Sequence, residues 1–382
     1  MKKMIRFEIK KAFDKKILFS VIVLLVINVC YIVLSNYNEE MKDFYYGKTQ
    51  IVNKVNGKIT QEKVNFLLDG LEKNKNLVEN GDFDTEKKDK NTYTGYVYGD
   101  MNAFEEIYTD LKRVYDYSSD IDEKIAIIDE NIQRSNNTNK YSLFLKERLE
   151  GRNISSYYDT EGIESYLSYS YSFIFIIIIV VLGGVNYLYY DKKHDMEDMI
   201  HITSNGRNRI RKIRYNIMIF FTILVSLLFF VSDYLGFYFL YNIDGLTNPI
   251  YSLPSYSMSY FEMPIFLLVI ITILLKMLGI IVICNFILYL SKKIKSSYIT
   301  ILTSLFIALF LWKNIYTSND TILSIITILK TFSVHKIFFF YVNDIYIIIA
   351  GLCALMVVVS YLYLRRDKMV YDKVWIEEKS YL

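Results

Sequence analysis

The densest group of side chains with metal-binding chemistry lies between residues 194 and 201. Two histidines and three carboxylates are found there: His194, Asp195, Glu197, Asp198 and His201. Spacings of three and four residues would place three of these ligand types on one face of a helix. Such groups in a loop are usually solvated, however, and the chain has no HExxH pattern to fix their geometry. The sequence therefore predicts neither a metal site nor a catalytic site at this position.

The run Gly47-Lys48-Thr49 resembles the end of a phosphate-binding loop. That motif also requires a glycine five residues before Gly47, and Lys42 occupies that position. The rest of the sequence has no other nucleotide-binding motif. We therefore expect no cofactor on this chain, and any energy source for its work must lie on another chain.

Asp233 and Lys276 are the two charged residues that lie clearly inside long apolar runs. A charge at membrane depth is costly, so it usually faces the interior of a helix bundle and finds a partner there. We therefore predict that Asp233 pairs with Lys276. The alternative is that each of them reaches the interface or a backbone carbonyl separately. Asn186 and Asn285, also in apolar runs, are expected to form hydrogen bonds between helices.

Six long apolar runs must position these groups. They cover residues 17–35, 170–190, 215–240, 264–290, 298–312 and 345–364. Because a helix rises 1.5 Å per residue, about 20 such residues cross the roughly 30 Å hydrocarbon core of a bilayer. Apolar side chains surround each run at all angles, as lipid contact requires, and the fifth run is the shortest. The sequence therefore predicts an all-α membrane protein with six transmembrane helices.

The distribution of Lys and Arg predicts the orientation of these helices. Residues 1–16, 191–214, 291–296 and 365–382 together carry 22 basic residues and 10 acidic ones. Residues 241–263 carry no Lys or Arg. This asymmetry is the positive-inside pattern, and it places both termini of a multi-pass cell-membrane protein in the cytoplasm. The positive surplus suits the lipid bilayer and an acidic partner, and we expect no nucleic acid.

A charged segment, residues 36–169, separates the first two apolar runs. It carries 18 basic and 26 acidic residues, and the predicted orientation places it outside the cell. Apolar residues recur in it at helical spacing, which predicts a mainly helical extracellular domain with its own core. Two such series are Val64, Leu67, Leu71 and Phe104, Ile107, Leu111. The three cysteines all lie in apolar runs, so no disulfide is expected to stabilise this domain.

Two further segments have an amphipathic pattern. Residues 1–16 carry Ile5, Ile9 and Ala12 on one helical face and most lysines on the other. This pattern predicts a cytoplasmic helix lying flat at the interface, although a basic flank that only sets topology remains an alternative. Residues 317–344 hold two short apolar pieces around a polar break. They are interpreted as an extracellular re-entrant helical hairpin, or else as an amphipathic surface loop.

The loop of residues 191–214 reads DKKHDMEDMIHITSNGRNRIRKIR. It resembles the cytoplasmic loop of ABC-2 type transporter permeases, in which a short acidic helix precedes a small-Gly-Arg turn and a basic helix. Here these parts are residues 195–201, 204–207 and 209–214. The layout is similar as well: a flat N-terminal helix, six spans and a re-entrant pair before the last span. One branch of that family also has a large extracellular domain between the first and second spans.

The resemblance implies the permease subunit of an ATP-binding-cassette exporter for a peptide, drug or lipid-like substrate. It implies two partners: a cytoplasmic ABC ATPase subunit that holds ATP and Mg, and a second permease copy or a homologous permease. In that family the short helix of the loop is a coupling helix seated in a groove of the ATPase. Met196, Met199 and Ile200 would give it an apolar docking face, with Glu197 and Arg207 among the surrounding charges. The alternative is a helix that lies on the membrane.

The residues themselves leave a second class of function open. A membrane-anchored sensor or envelope-assembly protein would use the extracellular domain to bind a ligand. A neighbouring gene for an ATPase, or a co-purifying subunit that hydrolyses ATP, would separate the two classes. An intramembrane enzyme has the weakest support, because the chain has only 3 histidines and no catalytic constellation.

Overall fold

The computed structural model of this chain describes residues 2–36, 42–81, 91–134, 140–194, 196, 206–257, 259, 261–312, 334–337 and 340–365. We number its helices α1 Lys2–Ala12, α2 Lys15–Asn36, α3 Lys42–Val55, α4 Gln61–Glu79, α5 Val97–Arg134, α6 Lys140–Leu149, α7 Glu161–Ser168, α8 Ser172–Lys193, α9 Gly206–Tyr241, α10 Ile265–Lys293, α11 Ser297–Trp312 and α12 Asp344–Leu364. Its strands are β1 Gly57–Lys58, β2 Ser156–Tyr157, β3 Val334–Ile337 and β4 Phe340–Asn343. The described chain is therefore mostly helical, with two small antiparallel sheets, so the expected all-α class is correct apart from these strands.

Four stretches of the described chain are long and apolar enough to cross a bilayer. They are Lys15–Asn36, Glu161–Lys193, Arg209–Tyr241 and Ile265–Lys293. Two shorter apolar helical stretches, Ser297–Phe310 and Ile349–Leu364, lie in α11 and α12. Helices are thus found at all six of the apolar runs, and their length and composition indicate a membrane-embedded protein.

Helix α8 lies at the centre of the apolar bundle and contacts α2, α9, α10 and α11. Most of its side chains are buried, in contrast to α2, whose apolar side chains are largely exposed. Gly184 of α8 faces Met218 of α9. A Cβ atom at this position would lie 2.5 Å from Cε of Met218. A larger residue here would therefore require the end of the Met218 side chain to move.

The N-terminal helix α1 packs against the bundle, where it contacts α8 and α9. It is a separate helix, because the helical conformation is interrupted at Phe13 and Asp14; the Asp14 side chain accepts a hydrogen bond of 2.8 Å from the Lys15 backbone N–H at the start of α2. On the expected apolar face, Ala12 is buried and Ile9 is 42% exposed, and the polar residue Glu8 is buried as well. That this helix lies flat at the membrane interface stays a prediction.

Helices α3 to α6 and the β1–β2 pair form a unit that we call the inserted domain. It has an apolar core of its own, which confirms the predicted helical series in residues 64–71 and 104–111. The core includes Val64, Leu67, Leu71, Phe104, Ile107, Leu111, Val114 and Tyr117. In β1–β2, Gly57 pairs with Tyr157 and Lys58 with Ser156, so the sheet joins the connection between α3 and α4 to the segment that follows α6.

The described part of residues 317–344 is extended and contains no helix before α12. Strands β3 and β4 pair in antiparallel register, with Val334 opposite Asn343 and Ile337 opposite Phe340. The helical hairpin expected for this segment is therefore wrong for residues 334–337 and 340–343. Aromatic and β-branched residues dominate this sequence, and these types favour a pleated strand. Residues 313–333 and 338–339 lie outside the described residues.

Candidate functional site

Two acidic and two basic side chains meet where α1 crosses the ends of α8 and α9. Lys11 Nζ lies 2.9 Å from Glu8 Oε1 and 2.6 Å from Asp191 Oδ1. Arg214 Nε lies 3.5 Å from Glu8 Oε2, and Arg214 also forms an ion pair with Asp191. The charges of the four groups cancel, and we call them the ion cluster.

The ion cluster is buried. The side chains of Glu8, Lys11 and Asp191 are 3–6% exposed, and that of Arg214 is 16% exposed. The Tyr187 hydroxyl donates a hydrogen bond of 2.8 Å to Glu8 Oε2. Desolvating four charges is costly, so each must be matched by close partners of opposite sign. The arrangement therefore fastens α1, α8 and α9 to one another in a defined register.

The ion cluster stands at both ends of the loop that resembles an ATPase-coupling loop. Asp191 lies in the last turn of α8, and Arg214 lies in α9, which already begins at Gly206. The Met196 backbone N–H donates to the Asp191 carbonyl at 2.9 Å, and the Met196 side chain is half-buried. The other candidate coupling groups lie outside the described residues: Glu197, Met199, Ile200 and the side chain of Arg207.

A second polar cluster is buried among the apolar helices. Asn28 in α2 donates to Asp233 Oδ1 at 2.6 Å, and the Tyr169 hydroxyl donates to Asn28 Oδ1 at 2.8 Å. Lys276 in α10 donates to the Tyr169 backbone carbonyl at 2.9 Å. The structure thus brings Asp233 and Lys276 into one cluster. The hydrogen bond from Lys276 to a backbone carbonyl is the alternative that the sequence analysis left open beside the pair with Asp233. The cluster connects α2, α9 and α10 at the start of α8.

The two asparagines of the apolar runs differ in their surroundings. Asn285 is buried and accepts a hydrogen bond of 2.9 Å from the Ser360 hydroxyl, which joins α10 to α12. Asn186 is exposed and lines a groove between α2 and α8. The expected bond between helices is therefore seen for Asn285, whereas Asn186 faces the surface of the bundle.

The residues that first suggested a metal or a nucleotide have structural contacts. The His194 ring stacks on Tyr190 at 4.2 Å between centroids, and Asp195, Glu197, Asp198 and His201 lie outside the described residues. Lys48 forms ion pairs with Glu106 and Glu161 at 2.7 and 2.6 Å. Burial lowers the pKa of Lys48, but the charge of Glu161 and the hydrogen bonds that Lys48 donates to both glutamates raise it above its ordinary value of 10.5.

Gly47 is also explained by packing. A Cβ atom there would lie 2.5 Å from the Tyr93 backbone carbonyl carbon. The Gly47-Lys48 pair therefore holds α3 against the chain before α5 and against α7, which is a structural role at the contact between the inserted domain and α7.

The inserted domain is docked on the loop of residues 241–263, and it recognises backbone groups there. Arg152 Nη1 donates to the Ser259 carbonyl at 2.6 Å, and Arg113 Nη2 donates to the Ser252 carbonyl at 3.0 Å. The rings of Tyr117 and Tyr251 stack at 5.2 Å, so Tyr251 joins the core of the domain. The buried Arg152 guanidinium also lies 4.9 Å from the centroid of the Tyr251 ring, so a cation and a stacked aromatic pair join the domain to this loop.

Sequence reasoning missed the ion cluster. Glu8 is one of only two acidic residues among the seven basic ones of residues 1–16, and an acid on the apolar side of that helix was the available signal. Its partner Asp191 is remote in the chain, so no local spacing connects them. Asn28 was missed for the same reason, as its partner Asp233 lies 205 residues away.

Comparison with known proteins returned no match. No protein-family model, no curated protein and no solved structure matches this chain.

Proposed function

We propose that this chain is the permease subunit of an ATP-driven exporter of the ABC-2 type. In this proposal six helices span the cell membrane, both termini are cytoplasmic and the inserted domain is extracellular. A separate cytoplasmic subunit hydrolyses ATP, and a second permease copy or homologue completes the transport path. The positive-inside charge pattern supports this orientation, because residues 1–16 and 191–214 carry 14 of the 22 basic residues in the four proposed cytoplasmic segments.

The ion cluster is the observation that carries the proposal. A transport subunit driven by another chain needs a cytoplasmic element that receives force and a rigid connection from it to the transmembrane helices. Residues 191–214 resemble such an element, and Asp191 and Arg214 at its two ends are both locked to α1. A displacement of this loop would therefore move α1, α8 and α9 together, since buried ion pairs tolerate little change in distance.

The bundle offers a route for this displacement toward the inserted domain. Helix α8 begins beside the cluster of Asn28, Asp233 and Lys276 and ends at the ion cluster, so both of its ends are held by polar contacts. Packed elements with discrete contacts are what carries coupling between distant sites. The proposal assigns α8 the role of connecting the ATPase-facing side to the extracellular side.

The test is co-purification of the ATPase. The tagged chain is cross-linked in host membranes, extracted in a mild detergent, and assayed for a bound subunit that hydrolyses ATP. We expect wild type to retain such a subunit and Ile200→Glu to lose it, because the change places a charge on the proposed docking face. Lys295→Glu is the matched control, since Lys295 is exposed in another basic loop. If wild type brings down no ATP-hydrolysing subunit, or if Ile200→Glu retains it, the proposal is wrong.

A further inference from the structure

A groove runs along the outside of the bundle between α2 and α8. Its apolar part has a volume of about 430 Å³, and its walls include Phe19, Val23 and Leu182. These side chains are 68%, 38% and 42% exposed, so the groove is open along its length. An apolar surface of this kind is matched to lipid acyl chains at membrane depth.

The groove continues into a wider opening of about 600 Å³ beside α1 and the end of α8. Lys16, Ile17 and Asn186 line both parts, so the two spaces adjoin. The opening is lined by four lysines and one carboxylate: Lys10, Lys11, Lys16, Lys193 and Asp14. Its charge is therefore strongly positive, whereas the remainder of the groove is apolar.

The lysines of this opening differ in their availability. Lys11 is engaged in the ion cluster, and the Asp14 side chain accepts from the Lys15 backbone N–H. Lys10, Lys16 and Lys193 are exposed. Asn186, also exposed, stands where the cationic and apolar parts meet and offers an amide donor at that level. Three ammonium groups and an amide above an apolar channel complement a phosphate joined to an acyl chain.

We propose that this groove is a binding site for one anionic phospholipid. Its phosphate lies among Lys10, Lys16 and Lys193, its ester region lies near Asn186, and an acyl chain lies between α2 and α8. The proposal rests on the membrane embedding of the chain and is independent of the exporter function. Bound lipid would connect α1, α2 and α8.

The first experiment measures lipid selectivity. The protein is delipidated in a neutral detergent and titrated with phosphatidylglycerol or phosphatidylcholine of identical acyl chains, and native mass spectrometry counts the bound lipids. We expect one phosphatidylglycerol to bind tightly, with a rise in melting temperature, and phosphatidylcholine to bind much more weakly. Glycerol phosphate, which has no acyl chain, should produce no rise. Equal binding of the two lipids, or an equal rise with glycerol phosphate, would overturn the proposal.

The second experiment removes the charge. A juxtamembrane lysine contributes about fivefold to the binding of anionic lipid, so three should contribute on the order of 100-fold. The variant Lys10→Gln/Lys16→Gln/Lys193→Gln is therefore expected to lose most of the preference for phosphatidylglycerol. Lys212, Lys293 and Lys295 are exposed lysines elsewhere on the chain, and their triple Gln variant is the matched control. Equal losses in the two variants would show a general charge effect and no site.

The third experiment fills the groove without changing charge. Ser20 lines the apolar part and is exposed, so Ser20→Trp should block the acyl chain and lower lipid retention. Ser35→Trp is the control, because Ser35 is exposed on the same helix and also donates to a backbone carbonyl. If Ser20→Trp instead dissociates a dimer and leaves lipid binding intact, the groove is covered by a second copy of the chain and the lipid proposal fails.

Discussion

The ion cluster predicts a large and non-additive effect of single substitutions. Lys11→Met would leave Glu8 and Asp191 buried with one cation between them, and Glu8→Gln would leave two cations with one acid. Breaking a buried ion pair from one side costs about 3–5 kcal/mol, because the partner stays desolvated. With an unfolding entropy of about 2 cal/mol/K per residue, each single variant should therefore lower the melting temperature in detergent by roughly 4–6 °C.

The double variant Glu8→Gln/Lys11→Met restores neutrality, since Asp191 and Arg214 still pair. We expect its loss of unfolding free energy to fall below the sum of the two single losses by about 2 kcal/mol, which is typical of side chains that share partners. Thermal unfolding of the purified protein, followed with a thiol-reactive dye, would measure all four members of the cycle.

A matched control is available in the inserted domain. Lys146 pairs with Asp129 at 2.7 Å, but the two side chains are 32% and 38% exposed. Lys146→Met should therefore leave the melting temperature almost unchanged, because solvent screens such a pair. If Lys11→Met unfolds at the wild-type temperature, or if the double variant is fully additive, the four charges do not act as a buried unit and the reasoning fails.

Four other expectations can be checked on the same preparation. Gly47→Ala should destabilise the inserted domain in limited proteolysis, because its Cβ would meet backbone at 2.5 Å, whereas Gly351→Ala in open space should not. The raised pKa of Lys48 means that its charge stabilises the fold fully below pH 10.5 and is lost as the pH rises through the folded-state value; an NMR titration of labelled lysine should show Lys48 titrating last. Arg152→Leu removes a 2.6 Å bond to the loop of residues 241–263 and should expose that loop to protease. Lys276→Met leaves a buried aspartate without its nearby cation and should lower the melting temperature, and equal stability would exclude that role.

The sequence predicted the elements of this protein better than their contacts. Helices occur at every apolar run, because about 20 apolar residues in succession are stable only as a helix when they lie in lipid. The apolar series of the inserted domain also predicted its core correctly, since the helical period alone places those residues on one face. The sequence also singled out Asp233 and Lys276 as buried charges, because a charge in an apolar run has few other places to lie.

The interactions between remote segments were not predictable in the same way. The inward direction of Glu8 and Lys11 was not predicted, because periodicity ranks residues by polarity and takes no account of a partner on another helix. The docking of Arg113 and Arg152 on the loop of residues 241–263 uses backbone carbonyls, which every sequence possesses. A local sequence pattern therefore cannot predict the contact between the inserted domain and this loop.

The hydrophobic pattern by itself determined that this chain is helical, membrane-embedded and interrupted by a charged domain, because burial of apolar surface depends on composition and period. Only the tertiary structure decided which charges meet. A charged side chain costs little free energy at the surface and a large desolvation free energy when it is buried alone. The buried positions of Glu8, Lys11, Asp191 and Arg214 are therefore stable only because the helices bring all four together. The same holds for the groove between α2 and α8, whose lysines and apolar walls become one site only when the two helices lie side by side.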